Sequence, residues 1–214
     1  MAFKHFVHAF CTAALVLLAQ PTAASADTFR IVGFGDSLMA GYQLGPDEAF
    51  PQRLEAALKA RGHDVSVANA GVSGDTSSGG LSRLDWSVPD GTDLVILELG
   101  ANDMLRGLPP EITRKNLDAM IASLKARGID VLLAGMLAAP NLGAEFASQF
   151  NSIFPDLAAK HGVALYPFFL DGVAADRAYL LEDGMHPNAR GVQRMAERAL
   201  PVIEAAMKAR RAAQ

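Results

Sequence analysis

The feature that most constrains this chain is a regular alternation of short apolar runs with amphipathic segments. Phe29–Gly35 (FRIVGFG), Asp64–Asn69, Asp93–Leu99, Ile129–Met136 and Val163–Tyr166 read as five strands. Asp93–Leu99 is almost continuously apolar, the pattern of a strand covered on both faces. Between the runs lie helical periods. Ala49–Arg61 carries Phe50, Leu54, Ala57 and Leu58 on one face and closes at Gly62. Pro109 and Pro110 open a second helix with Ile112, Leu117, Met120, Ile121 and Leu124 inward, ending at Gly128. Glu145–His161, disrupted at Pro155, and a closing Ala189–Ala209 complete the set. Strands covered on both faces and separated by helices predict an α/β fold with a parallel sheet between helix layers. Ligands of such sheets bind beyond the carboxyl ends of the strands. Asp36-Ser37, Gly71–Asp75 and Gly100–Asp103 follow the first three strands and so share that edge.

Residues 1–26 stand apart. Lys4 precedes an uncharged apolar run, Phe6–Ala19, and Ala24-Ser25-Ala26 offers a small-residue cleavage site, the pattern of a secretory signal peptide. The run stops at Gln20-Pro21, shorter than the roughly 18 residues a membrane span needs, so no stable membrane anchor is expected. The predicted mature chain, 27–214, is then one domain, exported to the periplasm or secreted. It loses Lys4 and Cys11, keeping one base fewer than the 19 of the whole chain and all 23 acids, a net charge of −5. That balance excludes a basic nucleic-acid footprint, and a chain without cysteine forms no disulfide.

Few histidines remain to do chemistry. His63 follows a helix-ending glycine and His161 ends a helix, where a cation offsets the macrodipole. His186 sits in Asp183-Gly-Met-His186, a spacing that lets one short turn bring the carboxylate to imidazole Nδ1. Ser37, directly after a buried strand, reads either as an ordinary N-cap or as a nucleophile with His186 as its base. The Gly74 and Ser37 backbone N–H groups and the Asn102 side chain are candidate donors to an oxyanion. Asn102 and Asp103 also suit plain turn chemistry, and Asp36 and Asp103 are expected to hold turns by hydrogen bonds. Gly33-x-Gly35 lacks a third glycine at Leu38, so a dinucleotide site or a non-catalytic flavodoxin-like binder fits poorly. A metallophosphoesterase built on Asp36, Asn102, Asp103, Asp183 and His186 would rest on one histidine.

Gly35-Asp36-Ser37-Leu38, Gly71-x-x-Gly74, Gly100-x-Asn102-Asp103 and Asp183-x-x-His186 resemble, in order and spacing, the four blocks of the GDSL/SGNH hydrolase family. The wording Ser73–Thr76, Glu98–Asp103 and Asp183–Asn188 resembles its secreted thioesterase I, lysophospholipase L1 and arylesterase branch. The resemblance implies a three-layer α/β/α sandwich with a flavodoxin-like sheet of about five strands. It implies Ser37 as nucleophile, His186 as base then acid, Asp183 as its orienting partner, and an oxyanion hole of Ser37, Gly74 and Asn102. The expected function is hydrolysis of small-molecule esters or thioesters by a monomer through an acyl-enzyme, without cofactor or metal. Activity is expected to fall at acid pH as His186 is protonated. A carbohydrate O-acetyl esterase of the same family is the alternative. Met104, Leu105 and Leu108 on one loop, and Leu137, Leu142 and Phe146 on another, are the expected acyl-chain contacts, or else pack under their loops. Arg106, the one charge there, stands at the groove mouth or is simply solvated. Met136–Gly143 departs from the wording of that branch.

Overall fold

The structure, a computed structural model, describes Met1 and residues 28–213; the signal-peptide reading falls outside the described residues. Five parallel strands form one sheet: β1 (Phe29–Gly35), β2 (Val65–Gly71), β3 (Leu94–Leu97), β4 (Asp130–Ala134) and β5 (Ala164–Tyr166). Their order is β2-β1-β3-β4-β5, the flavodoxin-like arrangement, in which the chain reverses direction across the sheet at β1/β3. All four residues of β3 are buried, whereas the edge strand β2 alternates buried and exposed residues over its first half. Full burial at the centre and alternation at the edge are what double and partial coverage require.

The helices form the outer layers. On one side α2 (Phe50–Ala60) packs on the long closing helix α8 (Ala189–Ala212). On the other, α3 (Ser77–Ser87), α5 (Pro110–Ala126) and α7 (Ile153–His161) lie side by side. Short α1 (Ser37–Ala40), α4 (Ala101–Leu105) and α6 (Ala144–Asn151) complete the set, with single 3₁₀ turns at Pro140–Leu142 and Arg177–Tyr179. The predicted fold class is the observed one. Strand ends shift by two residues at most, and β1 lies where the sequence places it; β3 stops at Leu97 and leaves Glu98 in the turn beyond.

Two helical details differ from the sequence reading. The predicted helix over 145–161 breaks at Ser152, not at Pro155, which lies inside α7. A proline has no N–H for the carbonyl four residues back and its ring collides with it, so the ladder fails upstream, at Asn151. And α3 has no counterpart in the reading. Its segment, SSGGLSRLDWS, has two glycines and little apolar periodicity. It is anchored by Thr76, whose hydroxyl accepts the Gly79 N–H at 3.3 Å, and by a buried arginine, Arg83.

Register places three loops at one level. Gly35 pairs with Gly71 and Phe34 with Leu97, so β1, β2 and β3 finish together. Close approach demands glycine here. A Cβ on Gly71 would collide with the Ala40 backbone, 2.7 Å from its Cα, and one on Gly35 would lie 2.6 Å from the Glu98 carbonyl oxygen.

Candidate active site

Ser37 opens α1, directly after β1. Asp36 is the N-cap, its Oδ1 accepting the Leu38 N–H at 3.0 Å, and Gly41 ends the helix in the left-handed region at φ 80°. So short a helix, pinned at both ends, presents the Ser37 side chain beyond the sheet edge. The Ser37 Oγ lies 2.9 Å from His186 Nε2, across 149 residues of sequence.

His186 is set by the turn that carries it. Asp183 Oδ1 accepts the Met185 and His186 N–H groups at 2.9 and 3.0 Å, and Oδ2 lies 2.6 Å from His186 Nδ1. A carboxylate at that distance fixes the proton on Nδ1 and leaves the Nε2 lone pair to accept the Ser37 hydroxyl. The turn is closed by the Leu181 N–H donating to the His186 carbonyl at 2.7 Å. Asn188 caps α8 through Arg190 and Gly191 while donating to the Ala178 and Leu180 carbonyls. The ring of Tyr42 lies 4.4 Å from the imidazole, centroid to centroid. The His186 and Met185 N–H groups, together with the imidazole, hold the Asp183 carboxyl at a pKa of about 2.

Three potential donors lie on the loops that follow β1, β2 and β3. Neither the Ser37 N–H nor the Gly74 N–H meets an acceptor among the described residues. Gly74 lies in a turn at φ 81°, and its carbonyl accepts Arg106 Nη2 at 2.7 Å, so Arg106 ties the loop after β3 to the loop after β2. The Asn102 side chain gives one N–H to Asp36 Oδ2 at 2.9 Å and keeps the other. Asp103 serves structure, as its position suggests: it accepts the Ser77 N–H and hydroxyl and the Thr113 hydroxyl.

Two buried groups were not singled out from the sequence. Arg83, only 6 % exposed, donates to the Gly35 carbonyl at 2.9 Å, the Ala70 carbonyl at 2.8 Å and the Asp75 carboxylate at 2.6 Å. It also lies 4.0 Å above the Phe34 ring. One guanidinium thereby ties the Ser37 turn to the Gly71–Asp75 loop. Glu98, 1 % exposed, accepts the Asp36 N–H through Oε2 at 3.2 Å. The hydrophobic run that contains Glu98 hides it; Arg83 lies in the helix with no sequence signal.

The apolar candidates divide. Met104 is buried, its sulfur accepting the Ala139 N–H at 3.3 Å, which links the loops after β3 and β4. Leu105 and Leu137 are exposed. Leu108 is half-buried, and Leu142 and Phe146 are half-buried against the core, Phe146 stacked on Phe150. Of the other histidines, His63 pairs with Glu204 and His161 with Asp118. Among the described residues no three His, Cys, Asp or Glu side chains converge as a metal site would require.

Burial dominates the Asp36 and Glu98 carboxyls. It pushes Asp36 up to about 6, against the opposing pull of the Leu38 and Asn102 hydrogen bonds, and pushes Glu98 well above the usual range, with the Asp36 charge adding to it. A raised carboxyl pKa means the fold binds a proton that the unfolded chain holds only below about 3.9. That stabilisation is complete below the unfolded value and is lost as pH rises through about 6. Asp36→Asn removes it. In urea unfolding from pH 4 to 7.5, the variant therefore gains stability relative to wild type as pH rises; parallel curves would show that Asp36 does not titrate with folding.

Residues 34–194 match the GDSL-like lipase/acylhydrolase family. The chain is 40% identical over 184 residues to an arylesterase of Vibrio mimicus, covering 86% of this chain and 92% of that one. It is 38% identical over 167 residues to thioesterase 1/protease 1/lysophospholipase L1 of Escherichia coli K12, covering 78% of each. Among solved structures, that of TesA superposes with a TM-score of 0.79 at 35% identity, covering 83% of this chain and 99% of that chain. AlinE4, an SGNH-hydrolase family esterase, superposes at 0.71 and 43% identity, covering 85% and 97%. The chain belongs to the GDSL-like lipase/acylhydrolase family and is a hydrolase of ester bonds.

Proposed function

We propose that Ser37, His186 and Asp183 carry out a serine-esterase mechanism on carboxylic esters and thioesters bearing an acyl chain. The observation that carries this is the continuous hydrogen-bonded line from Ser37 Oγ through His186, at 2.9 Å, to Asp183, at 2.6 Å. The Ser37 oxygen attacks the acyl carbonyl as its proton passes to His186 Nε2. Asp183 offsets the charge of the imidazolium that forms. The oxyanion is held by the Ser37 and Gly74 N–H groups and the Asn102 amide, each worth roughly 10²–10³ in rate. His186 returns the proton to the departing alcohol or thiol, and water then hydrolyses the acyl-enzyme by the same relay. Since the base works as neutral imidazole, the rate falls on the acid side.

Leu105 and Leu137, exposed on neighbouring loops, are the side chains free to meet an acyl chain, with Leu108, Leu142 and Phe146 behind them. Met104 contributes from below by fixing the loop pair. This apolar surface, and the arylesterase and thioesterase/lysophospholipase relatives, favour acyl substrates over the acetylated carbohydrates of the alternative reading. The enzyme acts as a monomer in the periplasm or outside the cell, delivered there by residues 1–26. Mass measurement of the exported chain is expected to show a start near Asp27; retention of the leader would contradict export by cleavage.

Initial rates on p-nitrophenyl esters from acetyl to palmitoyl, with EDTA present, test the mechanism. The expected result is a medium-chain optimum and a fall in kcat/KM of at least about 10⁴ in Ser37→Ala. An acetyl-only profile would support the O-acetyl esterase, and undiminished hydrolysis by Ser37→Ala would overturn the catalytic assignment.

A further inference from the structure

Asp36 and Glu98 form a buried carboxyl pair directly behind the oxyanion donors, and the proposed mechanism uses neither. Asp36 Oδ1 accepts the Leu38 N–H at 3.0 Å and Oδ2 accepts an Asn102 side-chain N–H at 2.9 Å. Above about pH 6, where Asp36 is ionised, the N–H on each oxygen suits a group that acts as an acceptor only. Glu98 Oε2 accepts the Asp36 backbone N–H at 3.2 Å, and its buried Oε1 meets no partner among the described residues. An orphaned carboxylate oxygen beside another carboxylate is far costlier than an orphaned oxygen of a neutral acid. One proton between the two therefore belongs on Glu98, in keeping with its upward shift. The charged group that acts on the pair from another element is His186, from the turn before α8, while Arg83 of α3 holds the neighbouring Gly35 carbonyl.

An asparagine amide is nearly symmetric in shape, so packing alone sets its orientation weakly, and its two ends differ only in what they can bond. We propose that Asp36 is a positioning residue for Asn102: by accepting one N–H it turns the amide nitrogen, rather than its oxygen, toward Ser37, and Glu98 holds Asp36 in place for that task. Were the amide reversed, the oxyanion would face a lone pair in place of a donor. The inference rests on the oxyanion role given to Asn102 above. It predicts what Asp36→Asn does. One end of the new amide must face a donor, either the Leu38 N–H or Asn102, and the easiest relief is reversal of Asn102.

The test is a double-mutant cycle in kcat and KM on a p-nitrophenyl ester the wild type hydrolyses, with Asp36→Asn, Asn102→Ala and both together. The expected result is a loss of about 10–10³ in kcat for Asp36→Asn, with KM within about threefold, that shrinks below about threefold in the Asn102→Ala background. Additive losses would show that Asp36 acts apart from Asn102 and would overturn the inference while leaving the mechanism standing. A normal kcat in Asn102→Ala would remove the oxyanion role itself, and the inference with it. Should Asp36→Asn fail to fold, Glu98 supplies the same test. Glu98→Gln, neutral and nearly isosteric, is expected to keep more of kcat than Glu98→Leu, which strands the Asp36 N–H, and the gap is expected to close in the Asn102→Ala background. Equal losses in the two Glu98 variants, or a gap that persists without Asn102, would overturn the inference.

Discussion

The molecule turns on how closely three strand ends approach one another. At the carboxyl end of β1 there is no room for a side chain: a Cβ on Gly35 would lie 2.6 Å from the Glu98 carbonyl oxygen and 2.9 Å from Met39 Cβ. At β2 the same holds for Gly71 against the Ala40 backbone. Because these backbones touch, the loops after β1, β2 and β3 emerge within hydrogen-bonding distance of one another. Asn102 can reach Asp36, Arg83 can reach both Gly35 and Ala70, and Arg106 can reach Gly74. The site consists of loop ends held together from beneath, and the turn that carries Ser37 is braced by the buried Asp36, Glu98 and Arg83.

That support is polar and buried, which makes it sensitive to loss. Arg83 has the Asp75 carboxylate and two carbonyls around it, and Asp103 has three donors on its carboxylate. Removing one partner from such a group leaves the other unsatisfied, a penalty of roughly 1–3 kcal/mol or more where charge is involved. His186 is held differently. Its turn is partly exposed, and its order comes from two backbone N–H groups on Asp183 and from the cap at Asn188. His186 thus rides on a locally closed turn, and Ser37 on the edge of the sheet.

How legible this was in the sequence follows from which interactions are local. The strands showed through because burial on two faces leaves an apolar run, and α2 and α5 because one face is apolar and a proline or glycine marks an end. The Asp183–His186 pairing is visible in a three-residue spacing, and Ser37 in its place after a buried strand. What stayed hidden is tertiary. α3 is held by Arg83 reaching across 48 residues to Gly35, and no local period records that. Glu98 read as one more position of a buried strand, and its partner Asp36 lies 62 residues away. Tyr42 against His186 gives no sequence signal at all. Pro155 is plain in the sequence, but its effect falls upstream, at the carbonyl that its ring displaces.

Ser37, activated by His186, is the group proposed to take up the acyl group. An alkyl fluorophosphonate phosphonylates an activated serine and stops at that stage, so intact mass and peptide mapping locate that serine directly. One adduct per chain is expected, on Ser37, formed with loss of esterase activity, absent in Ser37→Ala and much slower in His186→Ala. An adduct on another residue that tracks the loss of activity would contradict it, as would full hydrolysis by a chain that cannot be labelled.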